Sequence, residues 1–217
     1  MARSFTLAQL RTKVRQRADI ENSSFISDSE LNGYISASYA VLYERLVLSG
    51  VAYFESTQTV AAVASTSDYA LPADYMSTVG VDWLRATGKY EPIRRLMTKE
   101  RDLFPDPTPK ALAYRVVGTN LVLFPTPSIA ATYRHVYIPA PADLTADGNT
   151  VDGVAGWEEF IVNDAARKCL LKEESDTSSL EREIQRDLDR IDQARINRYV
   201  ADSPRVTWEE DDDFIDE

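Results

Sequence analysis

The chain has 217 residues, 44% of them hydrophobic and 27% charged, with a formal net charge of −11. That size and balance suit a folded protein with a real core, in one domain or two small ones. With Cys169 as the only cysteine, an intrachain disulfide framework and a multi-cysteine zinc site are excluded, and the acidic balance argues against a general nucleic-acid binder, which needs a basic face.

No stretch approaches the ~20 apolar residues of a membrane-spanning helix, and MARSFTLAQLRTKVRQRADI lacks the apolar core of a secretory signal. Helix signals come first. Thr6-x-x-Gln9 reads as a capping box, with Phe5 and Leu10 placed as its hydrophobic staple. Leu7, Leu10, Val14 and Ala18 follow at helical spacing. The other side of this helix carries Arg11, Lys13, Arg15 and Arg17 and is expected to be an exposed basic face. Ser27-x-x-Glu30 is a second expected box. Behind it Leu31, Tyr34, Ile35, Ser38, Leu42 and Leu46 form one stripe, ending near Gly50, a residue type suited to a helix C-terminus.

From about Val51 the period changes. QTVAAVAS, VGVDWL, ALAYRVVG, LVLFP and TYRHVYIP are short runs rich in β-branched and aromatic residues, separated by Gly, Pro, Asn and Asp. Gly118-Thr119-Asn120 predicts a tight hairpin between two of them. FPDPTP and FPTP mark loops or edges, because proline cannot donate to a ladder. A short helix is expected at Thr98–Phe104.

Near Trp157 the helical period returns, with Trp157, Phe160, Ile161, Ala165 and Cys169 on one face. Asp176, Thr177 and Ser178 end that helix and cap the next, with Ser178-x-x-Glu181 a third expected box. Leu180, Ile184, Leu188 and Ile191 then make a narrow apolar stripe among charges. Leu10, Leu31, Ile35, Leu42, Phe160, Ile161, Ile184, Leu188 and Ile191 are the expected helical core. The fold class is α+β: an antiparallel helical bundle from residues 1–51 and 155–199, an inserted β-rich domain over 52–154, and an extended acidic C-terminal arm over 200–217.

The arm reads VADSPRVTWEEDDDFIDE. Eight acidic residues against Arg205 give it −7 of the chain's −11, leaving −4 for residues 1–199. It has no helical or strand period and cannot bury enough apolar surface alone to offset its ordering entropy. Val206, Trp208, Phe214 and Ile215 are nonetheless spaced through it. Acidic chain with large apolar anchors is the pattern of a segment that orders on a partner; a plain solvated tail is the alternative. The expected partner-binding residues are Arg205, Val206, Trp208, Phe214, Ile215 and the run Asp211, Asp212 and Asp213, together with Arg11 and Arg15 of the first helix.

Chemistry is sparse. The only histidine, His135, sits in a strand-like run among aromatics, where a structural role is the usual one. No G-x-S-x-G, G-x-G-x-x-G or P-loop pattern is present. Asp211-Asp212-Asp213 lacks the glycine turn and distant glutamate of a calcium loop. No catalytic residue, metal site or cofactor is therefore expected.

The order of FTLAQLRTKVRQRAD, FISDSELNGYISASYAVLYERLV, DYALPADYMSTVGVDWL and a hairpin ending LVLFPTP resembles phage head-to-tail adaptor proteins. TYRHVYIPAPADL and WEEFIVNDAARKCLLKEESD look like the same family's return to helices, so the likeness covers roughly residues 5–195. The resemblance implies a structural virion protein at the head–tail junction, made in the host cytoplasm. It implies a homo-oligomeric ring, commonly of twelve copies, beneath the portal protein ring. Such a ring extends the DNA channel without binding DNA specifically, docks a tail nozzle or tail-tube protein and touches no membrane. Rival readings are another virion tail component such as a nozzle or fibre subunit, a carboxylate-dependent hydrolase, and a free-standing acidic regulator.

Overall fold

The structure, a computed structural model, describes residues 4–22, 24–48, 54–97, 100, 108–152 and 157–196. Among these it is α+β, with four helices and two sheets. The chain divides into two compact units, one from residues 1–38 with 146–217 and one from 39–145.

The first unit begins with β1 (Ser4–Thr6), which pairs antiparallel with β9 (Thr150–Asp152) in register Phe5↔Val151. Helix α1 (Leu7–Arg17) starts on the expected capping box: Gln9 N donates to Thr6 Oγ1 at 3.2 Å and Thr6 N to Gln9 Oε1 at 3.0 Å. Its apolar face, Leu7, Leu10 and Val14, is fully buried. Helix α2 (Asp28–Leu48) starts on half a box. Glu30 N donates to Ser27 Oγ at 3.2 Å, while the Glu30 carboxylate accepts from Tyr34 Oη and Lys172 Nζ.

Helix α3 (Glu158–Lys172) packs against both α1 and α4 (Ser178–Ile196). Trp157, Phe160, Ile161, Ala165 and Cys169 are buried as their spacing predicts. Two expectations for α4 are corrected. The third box does not form: Ser178 is already helical, its N–H and hydroxyl bond Asp176, and Thr177 Oγ1 donates to Glu181 at 2.9 Å. Of the expected core residues on α4, Ile191 is buried, as is Leu180 of the same stripe, but Ile184 and Leu188 are only half-buried. A stripe shows which side of a helix is apolar, not how far a neighbour covers it.

The second unit is built on a seven-stranded, nearly barrel-shaped sheet. In chain order its strands are β2 (Ser56–Ala62), β3 (Asp68–Ala70), β4 (Tyr75–Ala86), β5 (Lys89–Arg95), β6 (Ala113–Val117), β7 (Asn120–Phe124) and β8 (Ala131–Pro139). In space the order is β2-β8-β4-β5-β6-β7-β3. The two edge strands approach each other: Gln58 Nε2 of β2 donates to Ala70 O of β3 at 3.3 Å. Gly118, at φ +57°, opens the two-residue turn between β6 and β7, as the sequence predicts. Val60, Ala62, Val81, Ala111, Leu121 and Leu123 fill the interior around Tyr133, whose hydroxyl accepts from Ala111 N at 2.8 Å. The short helix expected at Thr98–Phe104 lies almost wholly outside the described residues.

Burial ranks the stripe residues of α4. We expect Ile191→Ala to cost about 2–5 kcal/mol of unfolding free energy and Leu188→Ala only about 1–2 kcal/mol, because less contact is lost around a half-covered side chain. Urea unfolding of the two variants checks the ranking; equal losses would mean that α4 is covered along its whole length.

Candidate partner interface and buried polar clusters

Helix α1 carries four bases on its polar side, and each meets a carboxylate of the same unit. Arg11 Nη2 reaches Asp147 Oδ1 at 2.5 Å, and Arg11 Nη1 lies 3.7 Å from Asp28. Arg15 Nη2 reaches Asp28 Oδ1 at 2.8 Å and also donates to Ile26 O at 3.0 Å. Lys13 and Arg17 share Glu159 of α3, each at 3.1 Å, and Arg17 also reaches Glu183 of α4 at 2.8 Å. Hydrogen bonding from Arg15 holds the Asp28 carboxyl below its ordinary pKa. Arg11 and Arg15 are mostly covered, with 16% and 19% of their side chains exposed. The basic side of α1 therefore joins α1 to the start of α2, to α3, to α4 and to the segment around Asp147. Charge pattern alone could not show this, because all four acidic partners lie elsewhere in the sequence.

A second cluster lies between α2 and α3. Asp164 is buried, which by itself pushes its pKa up. Hydrogen bonds from Lys168, Arg167 and Ser38, the last at 2.8 Å, outweigh burial and keep the carboxyl below its ordinary value. Lys168 Nζ also donates to Ser38 Oγ at 2.8 Å. Ser38 thus sits in the apolar stripe of α2 as a polar link to α3. Cys169, one turn from Ala165, is fully buried, and burial pushes its thiol up to about 11, so it stays an unreactive thiol at neutral pH.

The third cluster surrounds His135, which is fully buried on β8. Its ring stacks on Tyr137 at 5.4 Å. Nε2 lies 3.0 Å from Thr78 Oγ1, and Nδ1 lies 3.4 Å from Gln58 Oε1. Gln58 uses its amide nitrogen on Ala70 O. Its oxygen is then the acceptor, which places the histidine proton on Nδ1 and makes Nε2 accept from Thr78. Thr78 Oγ1 can in turn accept from Tyr75 Oη at 3.1 Å. The chain of bonds is satisfied by a neutral ring, and burial lowers the histidine pKa. Among the described residues no carboxylate contacts the imidazole, and the cluster ties β2, β8 and β4 together without a nucleophile–base pair.

Among the described residues no group of three or more His, Cys, Asp or Glu side chains could hold a metal ion, and no helix is long and apolar enough to cross a membrane. The other expected interface residues, Arg205, Val206, Trp208, Asp211, Asp212, Asp213, Phe214 and Ile215, lie outside the described residues. A model of the SU10 adaptor protein family matches residues 5–211. The chain belongs to that family. It is thereby a bacteriophage adaptor, a structural virion protein. Curated protein sequences give no match to it. Among solved structures, a chain in "Neck of empty GTA particle computed with C6 symmetry" aligns over 77% of this chain and 82% of its own, at 13% identity and a TM-score of 0.29, too low for the two folds to be equated.

The His135 cluster gives a signed pH dependence. The folded state holds this histidine neutral below its unfolded pKa of about 6.5. Its contribution to stability is therefore present above that pH and is lost as pH falls through it. Wild-type protein should outlast His135→Gln on heating at pH 7.5, and the gap between their melting temperatures should narrow by pH 5.5. A gap that widens on acidification would mean the ring is charged in the fold.

Proposed function

We propose that this adaptor is one subunit of a ring, commonly of twelve copies in such assemblies, at the phage head–tail junction beneath the portal. The ring extends the DNA channel and docks a tail nozzle or tail-tube protein. The observation that carries this reading is the family match across residues 5–211. In it the helices of residues 1–51 and 155–199 form one antiparallel bundle, residues 52–154 are the inserted β-rich domain, and the role is structural, not enzymatic.

Charge supports the reading. With the bases of α1 taken up by intrachain carboxylates, that helix offers no free cationic stripe to hold DNA phosphates. A chain with a net charge of −11 lining a channel would let DNA pass without adhering. Residues 200–217 act as the docking arm, with Trp208, Phe214 and Ile215 as apolar anchors and the aspartate run steering encounter with a basic surface.

Deleting residues 200–217 should leave the circular dichroism spectrum and melting temperature nearly unchanged while weakening attachment to the purified portal ring at least tenfold. Raising salt should slow association of the intact protein, since exposed charges are screened beyond about 10 Å at 0.1 M. A truncated chain that joins the portal as tightly as the full one would make the arm a solvated tail.

A further inference from the structure

Helix α4 carries its charges in rows of one sign. Between Ser178 and Gln193 no two residues four apart have opposite charges. Like meets like instead: Arg182 with Arg186, Arg186 with Arg190, and Glu183 with Asp187. Residues four apart are neighbours on a helix surface, where opposite charges support the helix and like charges repel. A helix made only to face water would alternate its signs along a face.

The row Glu183–Asp187 is answered inside the fold. Glu183 takes Arg17 of α1 at 2.8 Å, and Asp187 takes Asn163 of α3 at 2.9 Å. The arginine row differs. Among the described residues Arg182 donates to Ser178 O of its own helix, at 3.2 Å, and Arg186 has no ion pair. Arg190 pairs with Asp187 of the same helix at 3.3 Å, and all three arginines are exposed. At about 100° per residue, this row lies to one side of the line opposite the buried Leu180 and Ile191. Glu181, Gln185 and Asp189 lie to the other side, exposed, beside the half-buried Ile184 and Leu188. Their bonds are also local: Glu181 accepts from Thr177 and Asp189 from Gln185, each at 2.9 Å. Arg186 stands about 15 Å along the axis from the helix end at Ile196, so the middle of the row is well away from where the chain leaves α4.

We propose that α4 is a contact between copies of this chain, with the arginine row of one copy against the acidic side of α4 in the next. The proposal rests on the ring reading and names the surface that joins its subunits. Two unlike surfaces on one chain give head-to-tail contacts, which can close into a ring. Copies with a net charge of −11 repel one another, so a contact between them calls for bases that their own fold has not used. The spacings match: Arg182 to Arg190 and Glu181 to Asp189 each extend about 12 Å along the helix. Guanidinium groups of one copy then donate to Glu181 and Asp189 of the next. Their aliphatic stems lie over Ile184 and Leu188, which the chain's own fold leaves half-covered.

Charge reversal in the full-length protein tests this, with ring formation counted by native mass spectrometry, alone and on the purified portal ring. The variants are Arg182→Glu with Arg186→Glu, and Gln185→Lys with Asp189→Lys; the second leaves Glu181 and its bond from Thr177 in place. The four side chains are exposed, so both variants should keep the wild-type circular dichroism spectrum. Each alone should need at least tenfold more protein than wild type to form rings. An equimolar mixture should form them near the wild-type concentration, because each variant then presents the charge that the other has lost, in alternating order. A variant that assembles like wild type overturns the α4 contact and leaves the ring reading standing, and so does loss in both variants with no recovery in the mixture. A wild-type chain that forms no ring, alone or on the portal, overturns the ring reading and this contact together.

Discussion

Strand β5 bears two ladders at once, and the sheet depends on it. It is antiparallel to β4 up to Ile93 and parallel to β6 from Arg94, so among the described strands its ladders join β2-β8-β4 to β6-β7-β3. A strand has hydrogen-bonding groups along both edges. β5 spends the two edges at different points along its length. Changing partners partway lets one seven-residue strand hold a nearly closed sheet, and among the described residues it leaves the first half of β4 with a strand neighbour on one side only. That one-sided stretch of β4 and the near closure of the sheet are consequences of the same crossing.

The interior shows why that arrangement holds its shape. Tyr133 fills the middle of the β-unit core with no exposed surface, and its hydroxyl bonds the backbone of Ala111. Beside it on the same face of β8, His135 and Tyr137 carry polar atoms into the fold, each met by a partner: Thr78 and Gln58 for the ring, Asp74 for the phenol. Buried polar groups left unpaired would cost more than their bonds contribute. Satisfied networks of this kind set which strand lies beside which. On the other face of β8, Arg134 bonds Asp82 of β4 and lies 3.8 Å over the Tyr90 ring of β5, giving β4, β5 and β8 a second tie.

The helical unit uses charge for the same end. The pairs that Arg11, Arg15, Lys13 and Arg17 make lie at or near the surface, where each is worth little alone. Together they act on one rigid helix from several directions, and Lys172 with Glu30 adds a tie between α3 and α2 at 2.7 Å. This fixes the orientation of elements more than it stabilises them. It also removes the cationic surface that the sequence alone led one to expect on α1.

Much of the fold was legible without coordinates, because its causes are local. Helix period, the Thr6 box, the glycine turn at Gly118 and the β-branched runs place α1 to α4 and β2, β4, β6, β7 and β8 within a few residues of where they lie. The strands that escaped notice are β1, β3, β5 and β9. Three of them have only three residues, and β5 reads KYEPIRR, polar and interrupted by Pro92. None announces itself; each is a strand because a neighbour supplies the ladder. The sequence by itself determined the α+β order of elements, the solitary positions of Cys169 and His135, and the concentration of negative charge after residue 199. Only the tertiary structure decided that the bases of α1 are spent on intrachain carboxylates, that Ile184 and Leu188 stay half-covered, and that β5 abandons β4 at Ile93. Periodicity and capping act over a few residues and are written in order along the chain. Ion pairs, burial and ladder partners join residues that the chain keeps far apart, and they exist only once it has folded.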